Sequence, residues 1–540
     1  MNPAKLAGKA RTHLQTRLTH SAVNRSIRAM AGQVHAHSPQ AAGAPVMFFD
    51  ASTRLSGVSL NAGFARLSSW SLSLQGVPVV HFVCQRGMTQ CVLGTDRSPA
   101  GKNPPCQSCM AQSRALFGDE AQIPFEFQPS DEFDQALTGL DLDELSSLEY
   151  QGVPLGSLVL PSVRWILRRH HLEGDAPTLR ILREYLRSAW SLQRNFAAAL
   201  DETKPQAVVV FNGMQYPEAT ARWTARQRGL PVYSHEVGLR PLSAFFTAGD
   251  ATAYPLTLPQ DFKLDAEQNS RLDQYLSRRF QGDFHMAGVQ FWPEMSQLDP
   301  EFVRLSRQFT AVVPVFTNVI FDTSQPHANV LFEDMFVWLD EILQAAARHP
   351  EVLFVIRAHP DEARKGKASE ETVSHWAESR RVQSLPNVRF IPPTEFFSSY
   401  DLIRLSKLVL IYNSTIGLEA SILGRPVLAA GKSRFSSADA VLFPSSRQSY
   451  QSQLESFLSA AEIQVPPRFA ENARRFLYWQ LYRSSLNFAA FLEPDGLWPG
   501  YVRLKDFGWQ QLLPENSAAL RAISDGILRG GDFMLREGEE

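Results

Sequence analysis

The sequence predicts an α/β protein made of two Rossmann-like units facing a cleft, with a basic helical N-terminal leader and a helical C-terminal segment. Three observations carry this expectation. Apolar, β-branched runs at 312–316, 352–356 and 408–411 stop abruptly at polar and turn-forming residues, as buried parallel strands do. Such runs alternate with stretches of helical periodicity. The chain has 540 residues, more than one hydrophobic core usually holds, so two or three domains are expected.

The elements follow in order. Residues 1–43 read as a leader and linker. No Asp or Glu occurs before residue 50, whereas Lys5, Lys9, Arg11, Arg17, Arg25 and Arg28 do. Leu14, Leu18, Val23, Ile27 and Met30 recur at roughly helical spacing. This pattern fits either a solvated helix or an amphipathic helix resting on anionic lipid. No continuous apolar core of a signal peptide is present.

Residues 44–305 read as a first α/β unit. A strand at 46–50, a helix at 60–74 and a strand at 77–83 make a right-handed βαβ crossover. Residues 111–206 look mainly helical, with a long helix at 178–200. A strand at 207–211 ends at Asn212 and Gly213, and a helix at 217–228 closes at Gly229. The next run, 230–233, leads into His235, Glu236 and Gly238. Residues 240–305 are mixed, with a polar helix near 264–280.

Residues 306–450 read as the second unit. Strands starting at 312, 352, 388, 408 and 427 alternate with helices near 331–348, 370–383, 398–406 and 415–423. Residues 451–540 look helical, with Trp479, Trp498 and Trp509 as packing residues.

A net charge of −2 excludes a whole-molecule electrostatic partner such as nucleic acid. No run of about 20 apolar residues indicates a transmembrane helix. A cytoplasmic location is expected, with peripheral contact on the inner membrane face if the leader lies on lipid.

Ligands of open α/β sheets bind outside the carboxyl ends of the strands. Three strand ends in the second unit are polar. The first offers Thr317, Asn318 and Asp322. The second offers Arg357, His359, Pro360 and Glu362. The third offers Asn413, Ser414 and Thr415, followed by Gly417 and Glu419. Asn413 or Ser414 is a suitable N-cap for the helix that follows, whose free N–H groups and dipole would bind phosphate. Gly417 permits close approach of a ligand or a strand. Glu419, one turn above Thr415, can accept ribose hydroxyls. Arg357 and His359 alternate, so both face one side, and His359 can transfer a proton.

The ordered set Thr-Asn-x3-Asp, Arg-x-His-Pro-x-Glu, Ser-Tyr-Asp-Leu, Tyr-Asn-Ser-Thr-x-Gly-x-Glu and Gly-x-Pro-Val, spread over 317–427, resembles the capsule polysaccharide biosynthesis family. That family is similar to glycosyltransferases of the B architecture. The resemblance is best over about 310–435 and weaker over 207–238. It implies that His359 and Pro360, with Ser414 and Thr415, hold the phosphate of a nucleotide-sugar donor and that Glu419 reaches the ribose. It also implies an acceptor that is a surface polysaccharide or a lipid-linked saccharide. The first unit must then supply a base, with Glu236 the leading candidate and His235 the second. No Asp-x-Asp motif ends a strand, so no catalytic metal is expected. A polyol-phosphate transferase, a sugar-nucleotide epimerase and a non-catalytic nucleotide- or partner-binding subunit are the alternative functions.

All four cysteines fall within one short stretch, as Cys84, Cys91, Cys106 and Cys109. Four thiolates satisfy tetrahedral zinc, although the first pair is spaced more widely than usual. An iron–sulfur cluster, disulfides and unliganded thiols are the other readings.

Overall fold

The computed structural model describes residues 3–51, 56–95, 102–252, 256–281, 285–286, 289–290, 298–364 and 366–539. Among these, two large sheets dominate. The first carries five parallel strands in the order Gln122–Phe125, Val79–Cys84, Val46–Phe49, Ala207–Phe211 and Val232–Val237. Two antiparallel strands, Ser243–Thr247 and Leu486–Asn487, extend it beyond Val232–Val237. The second sheet is wholly parallel, in the order Val388–Ile391, Val352–Arg357, Ala311–Phe316, Val409–Ile411 and Val427–Ala429. In each parallel set the first strand in sequence lies in the middle. Strand order reverses beside it, between Val46–Phe49 and Ala207–Phe211 in one sheet and between Ala311–Phe316 and Val409–Ile411 in the other. Such a switch point opens a crevice at the carboxyl edge.

The inner strands, such as Val46–Phe49, Ala207–Phe211, Ala311–Phe316, Val352–Arg357 and Val409–Ile411, are buried on both faces, which explains their unbroken apolar runs. In the second unit, Trp338, Leu339 and Ile342 of helix Met335–Arg348 cover one face together with Tyr450 and Leu454. Tyr400, Leu418, Phe476 and Leu477 cover the other. Asp334 caps Met335–Arg348 by accepting from the N–H groups of Phe336 (2.6 Å) and Val337 (3.1 Å).

Several sequence expectations are corrected. The stretch 111–206 is helical over Asp131–Ala136, Leu142–Ser146, Leu155–Leu167 and Ala176–Thr203, but it also holds strand Gln122–Phe125. Pro124 argues against a central strand, and an edge position removes the objection. The mixed stretch after 240 contributes strand Ser243–Thr247.

The C-terminal segment is not simply helical. After helices Arg447–Ser459 and Arg468–Tyr478 and a π-helical turn at Trp479–Arg483, the chain crosses back to the first unit. There it adds strand Leu486–Asn487, forms hairpin Leu492–Pro494 with Tyr501–Leu504, and ends with helix Ala518–Arg529. Burial of Leu486, Phe491, Val502, Leu520 and Ile523 in the first unit's core provides the reason. Trp479 is buried and Trp509 packs on the core, whereas Trp498 is exposed.

The leader is one helix, Pro3–His37. Val23, Ile27, Met30 and Val34 are buried in the same core as Phe64 and Trp70. Three residues of the apolar stripe, Val23, Ile27 and Met30, therefore face protein rather than solvent or lipid, while Leu18 is exposed.

Candidate functional site

At the switch point of the second sheet lies a cavity of about 690 Å³. The ends of three neighbouring strands line it, with Phe316, Thr317, Asn318 and Asp322 from the first, Arg357, His359 and Pro360 from the second, and Asn413, Ser414 and Thr415 from the third. Residues some 100 positions apart therefore share one wall, because parallel strands with helical crossovers deliver every carboxyl end to the same edge.

Each end is held by local bonding. The Thr317 hydroxyl donates to the carbonyl of Arg357 (3.2 Å) and accepts from the His359 N–H (3.2 Å), which locks two strand ends together. The Asn318 side chain accepts from the Asn413 N–H (3.3 Å), which ties the first end to the third. Asn413 in turn accepts from Gln325 (3.4 Å). The Asp322 carboxylate accepts from the Ser324 N–H (2.9 Å) and hydroxyl (2.7 Å).

His359 caps the short 3-10 turn Pro360–Ala363. Its Nδ1 accepts from the Asp361 N–H (3.2 Å), which leaves the proton of the neutral ring on Nε2. Burial lowers its pKa, with Asp361 and Asp322 opposing, so the ring is neutral at physiological pH. Arg357 is buried. Its Nε donates to Ser399 (3.1 Å) and Nη1 to the carbonyl of Glu395 (3.5 Å), and burial lowers its pKa to about 10. It therefore stays charged behind the cavity wall.

Three expectations at this edge are corrected. Glu419 is 3% exposed, and both its oxygens are already engaged, one by Arg279 Nε (2.5 Å) and one by the Tyr400 hydroxyl (2.6 Å). It is a buried ion-pair partner in the cavity wall rather than an acceptor waiting for ribose. Glu362 is 1% exposed, accepts from the Val373 N–H (3.2 and 3.3 Å) and does not line the cavity. Burial raises its pKa to about 8. The N-cap of helix Ile416–Ile422 is Thr415, without a side-chain cap bond, rather than Asn413 or Ser414. Those two side chains are left at the cavity.

At Gly417 the close approach is that of a strand. A Cβ there would lie 2.3 Å from Ile411 Cδ1, so glycine lets this helix sit close on its sheet without displacing that side chain.

Lining residues missed by sequence reading are Tyr275 and Arg279 from helix Ala266–Phe280, Lys432 and Arg434 after the last strand, and Gln480 in the π-helical turn. The strand-end rule, applied also to the run at 427, selects Lys432 and Arg434. Nothing local marks the other three.

The first sheet has its own switch-point cavity, of about 90 Å³, lined by Asp50, Asn61, Arg66, His81, Phe211 and His235 among others. His235 is 3% exposed, stacks on Phe246 at 5.0 Å and leaves Nδ1 without a hydrogen-bond partner; burial lowers its pKa to about 4. His235 therefore lines this small cavity as a buried, neutral ring. Glu236 is half-buried. Its carboxylate accepts from Asn61 Nδ2 (2.9 Å), Asn212 Nδ2 (3.0 Å) and the Val237 N–H (2.9 Å). Asn212 adopts φ 57° and Gly213 φ 84°, so the strand end turns sharply to bring the amide to Glu236.

None of the four cysteines forms a disulfide, and all line one cavity of about 30 Å³. Among the described residues, the group with ligand atoms all within 4.8 Å of one another is His170, His171 and Asp334. There His171 Nδ1 meets Glu371 (2.6 Å) and Nε2 meets Asp334 (3.1 Å), so both ring nitrogens are occupied by an ion-pair network.

Comparison with known proteins gives sequence matches over part of the chain and fold matches over more of it. Residues 304–440 match the family model described as capsule polysaccharide biosynthesis protein. A stretch of 110 residues, 20% of this chain, is 32% identical to protein FixF of Sinorhizobium fredii, and it spans 24% of that relative's length. Among solved structures, the KpsC beta Kdo 2,4 transferase of Thermosulfurimonas dismutans aligns with 14% identity and a TM-score of 0.34, over 52% of this chain and 80% of that one. UDP-GlcNAc 2-epimerase from Neisseria meningitidis aligns with 13% identity and a TM-score of 0.23, over 80% and 98%. Among the described residues no helix is long and apolar enough to cross a membrane.

Proposed function

We propose that this chain, whose residues 304–440 belong to the capsule polysaccharide biosynthesis protein family, is a glycosyltransferase that moves a sugar from a nucleotide-sugar donor to a surface polysaccharide or lipid-linked saccharide. The observation that carries the reading is the cavity at the second switch point. Its volume of about 690 Å³ suits a nucleotide sugar, and it gathers hydroxyl, amide and imidazole groups with the Arg357 charge behind them.

In this reading Asn413, Ser414, Thr415 and the Nε2–H of His359 hold the donor's phosphate. Arg357 and Lys432 offset the charge that develops on the leaving nucleotide. Glu236 takes the proton of the acceptor hydroxyl. Three donors fix its orientation, and a carboxylate has about four lone-pair sites, so an acceptor position remains.

The test is a panel of nucleotide sugars bearing different bases. One of them, at about 100 times its Kd, should stabilise the protein by about 2.7 kcal/mol and then serve as donor in a transfer assay. Failure of every nucleotide sugar to raise the melting temperature would reject the reading. Turnover of the bound donor without transfer, giving a free epimer, would favour the epimerase alternative.

A further inference from the structure

We infer that Cys84, Cys91, Cys106 and Cys109 form a tetrathiolate site for a single zinc ion, which staples the loop after strand Val79–Cys84 to the start of helix Cys106–Phe117. The first observation is convergence. All four cysteines of the chain, from two separate stretches of sequence, border one cavity of about 30 Å³. The four sulfurs therefore border one small space, as ligands of a single tetrahedral ion must.

The second observation is the form of the two turns that present the sulfurs. Residues 84–87 and 91–94 are both Cys-x-x-Gly. The Gly87 N–H donates to Cys84 Sγ at 3.3 Å, and the Gly94 N–H closes the second turn on the Cys91 carbonyl at 3.0 Å. A backbone donor aimed at sulfur favours the thiolate, the form that binds metal. Cys106 and Cys109 lie in the first turn of helix Cys106–Phe117, where the helix dipole acts in the same sense.

Third, the turns are packed so that glycine alone fits. A Cβ on Gly87 would sit 2.0 Å from the Phe125 ring, and one on Gly94 would sit 2.8 Å from Pro104 Cβ. The Gly94 contact joins the first cysteine pair to the Pro104-Pro105 turn that carries the second.

A divalent cation stabilises the charged form of the ligands, because a coordinating thiol is deprotonated outright. Binding forms four Zn–S bonds and releases four protons to solvent, with no change of oxidation state. The product carries two negative charges, and Arg86 borders the cavity to offset them. The sulfurs are spread more widely than the 4.8 Å spacing found at His170, His171 and Asp334. Zn–S bonds of about 2.3 Å would draw them to about 3.8 Å from one another.

The test uses the full chain, purified without chelator. Elemental analysis should give about one zinc per chain. Titration with an organomercurial should release that zinc as the thiols are modified. The chain has no other cysteine, so thiol count and metal release report the same four residues. Cys106→Ser and Cys109→Ser should each lower zinc content by roughly tenfold or more. Should either variant fail to fold, mercurial release from the wild-type chain still decides. Protein free of zinc after expression in zinc-supplemented medium, protein with iron and an iron–sulfur absorbance, or an intact mass short of hydrogens through disulfide formation would each overturn the site. Nucleotide-sugar binding is measured separately, so failure of one assignment does not touch the other.

Discussion

At the scale of single residues, the donor edge separates groups that can act from groups that only hold. His359 offers a neutral Nε2–H at the cavity, because the Asp361 N–H occupies Nδ1. His359→Ala should lower transfer on the order of a hundredfold, about 3 kcal/mol, while the fold and its melting temperature persist. A variant transferring at the wild-type rate would remove His359 from the reaction. Glu236→Gln should lower turnover by roughly 10²- to 10⁴-fold and leave the donor-induced rise in melting temperature unchanged, since a base on the acceptor side does not touch donor. Glu419 belongs to the holding class. Glu419→Gln leaves the Arg279 guanidinium buried without its counter-charge, so denaturant unfolding should show a loss of about 3–5 kcal/mol. Selective loss of donor binding at unchanged stability would instead restore a ribose contact. Glu362 titrates in place. Its folded pKa of about 8 lies above the ordinary carboxyl value, so the folded state binds the extra proton and stability falls as pH rises from about 4.5 to about 8. Glu362→Gln should flatten that part of the stability profile.

At the scale of elements, the loop after helix Leu155–Leu167 reaches from the first unit to the second and bonds at both ends of one imidazole. His171 bridges Asp334, the cap of helix Met335–Arg348, and Glu371, which also accepts from the His170 N–H (2.8 Å). The hydrogen bonds to Asp334 and Glu371 raise the His171 pKa to about 10. The folded value exceeds the unfolded one, so the bridge contributes fully below about pH 6.5 and is lost as pH rises towards about 10. His171→Gln should remove this alkaline decline from melting curves, and an unchanged profile would show that the bridge does not couple the units. Sequence reading could not find this contact, because its partners come from separate units and no local spacing relates them. It did find most of the second sheet, since buried parallel strands betray themselves by apolar runs and polar ends. It missed Gln122–Phe125, where Pro124 mimics a loop, and misjudged Glu419, whose polarity is equally suited to a ligand and to a buried arginine. Tyr275, Arg279 and Gln480 were hidden for the same physical reason as the bridge, since their approach to the cavity depends on how distant helices pack.

At the scale of the whole molecule, both ends of the chain close the same face of the first sheet. Helix Ala518–Arg529 and the hairpin before it return from the second unit, and helix Pro3–His37 lies alongside them. His37 stacks on Trp509 at 4.3 Å, which joins the two ends directly. Over residues 23–34 this packing matches neither sequence reading of the leader, a solvated helix or a lipid-bound one. A lipid-bound helix would present its apolar stripe outward, yet Val23, Ile27, Met30 and Val34 are each at most 6% exposed. Burying a side chain of this kind is worth about 1.5–3 kcal/mol, so the second half of the helix is part of the core rather than an accessory to it. Removing residues 1–40 should therefore lower the melting temperature sharply and expose apolar surface that binds a hydrophobic dye. Charge reversal at the exposed Arg17 and Arg28 should leave stability nearly unchanged, because isolated surface charges contribute little. A truncated chain that melts like the full one, and loses only its binding to anionic vesicles, would return the leader to the membrane.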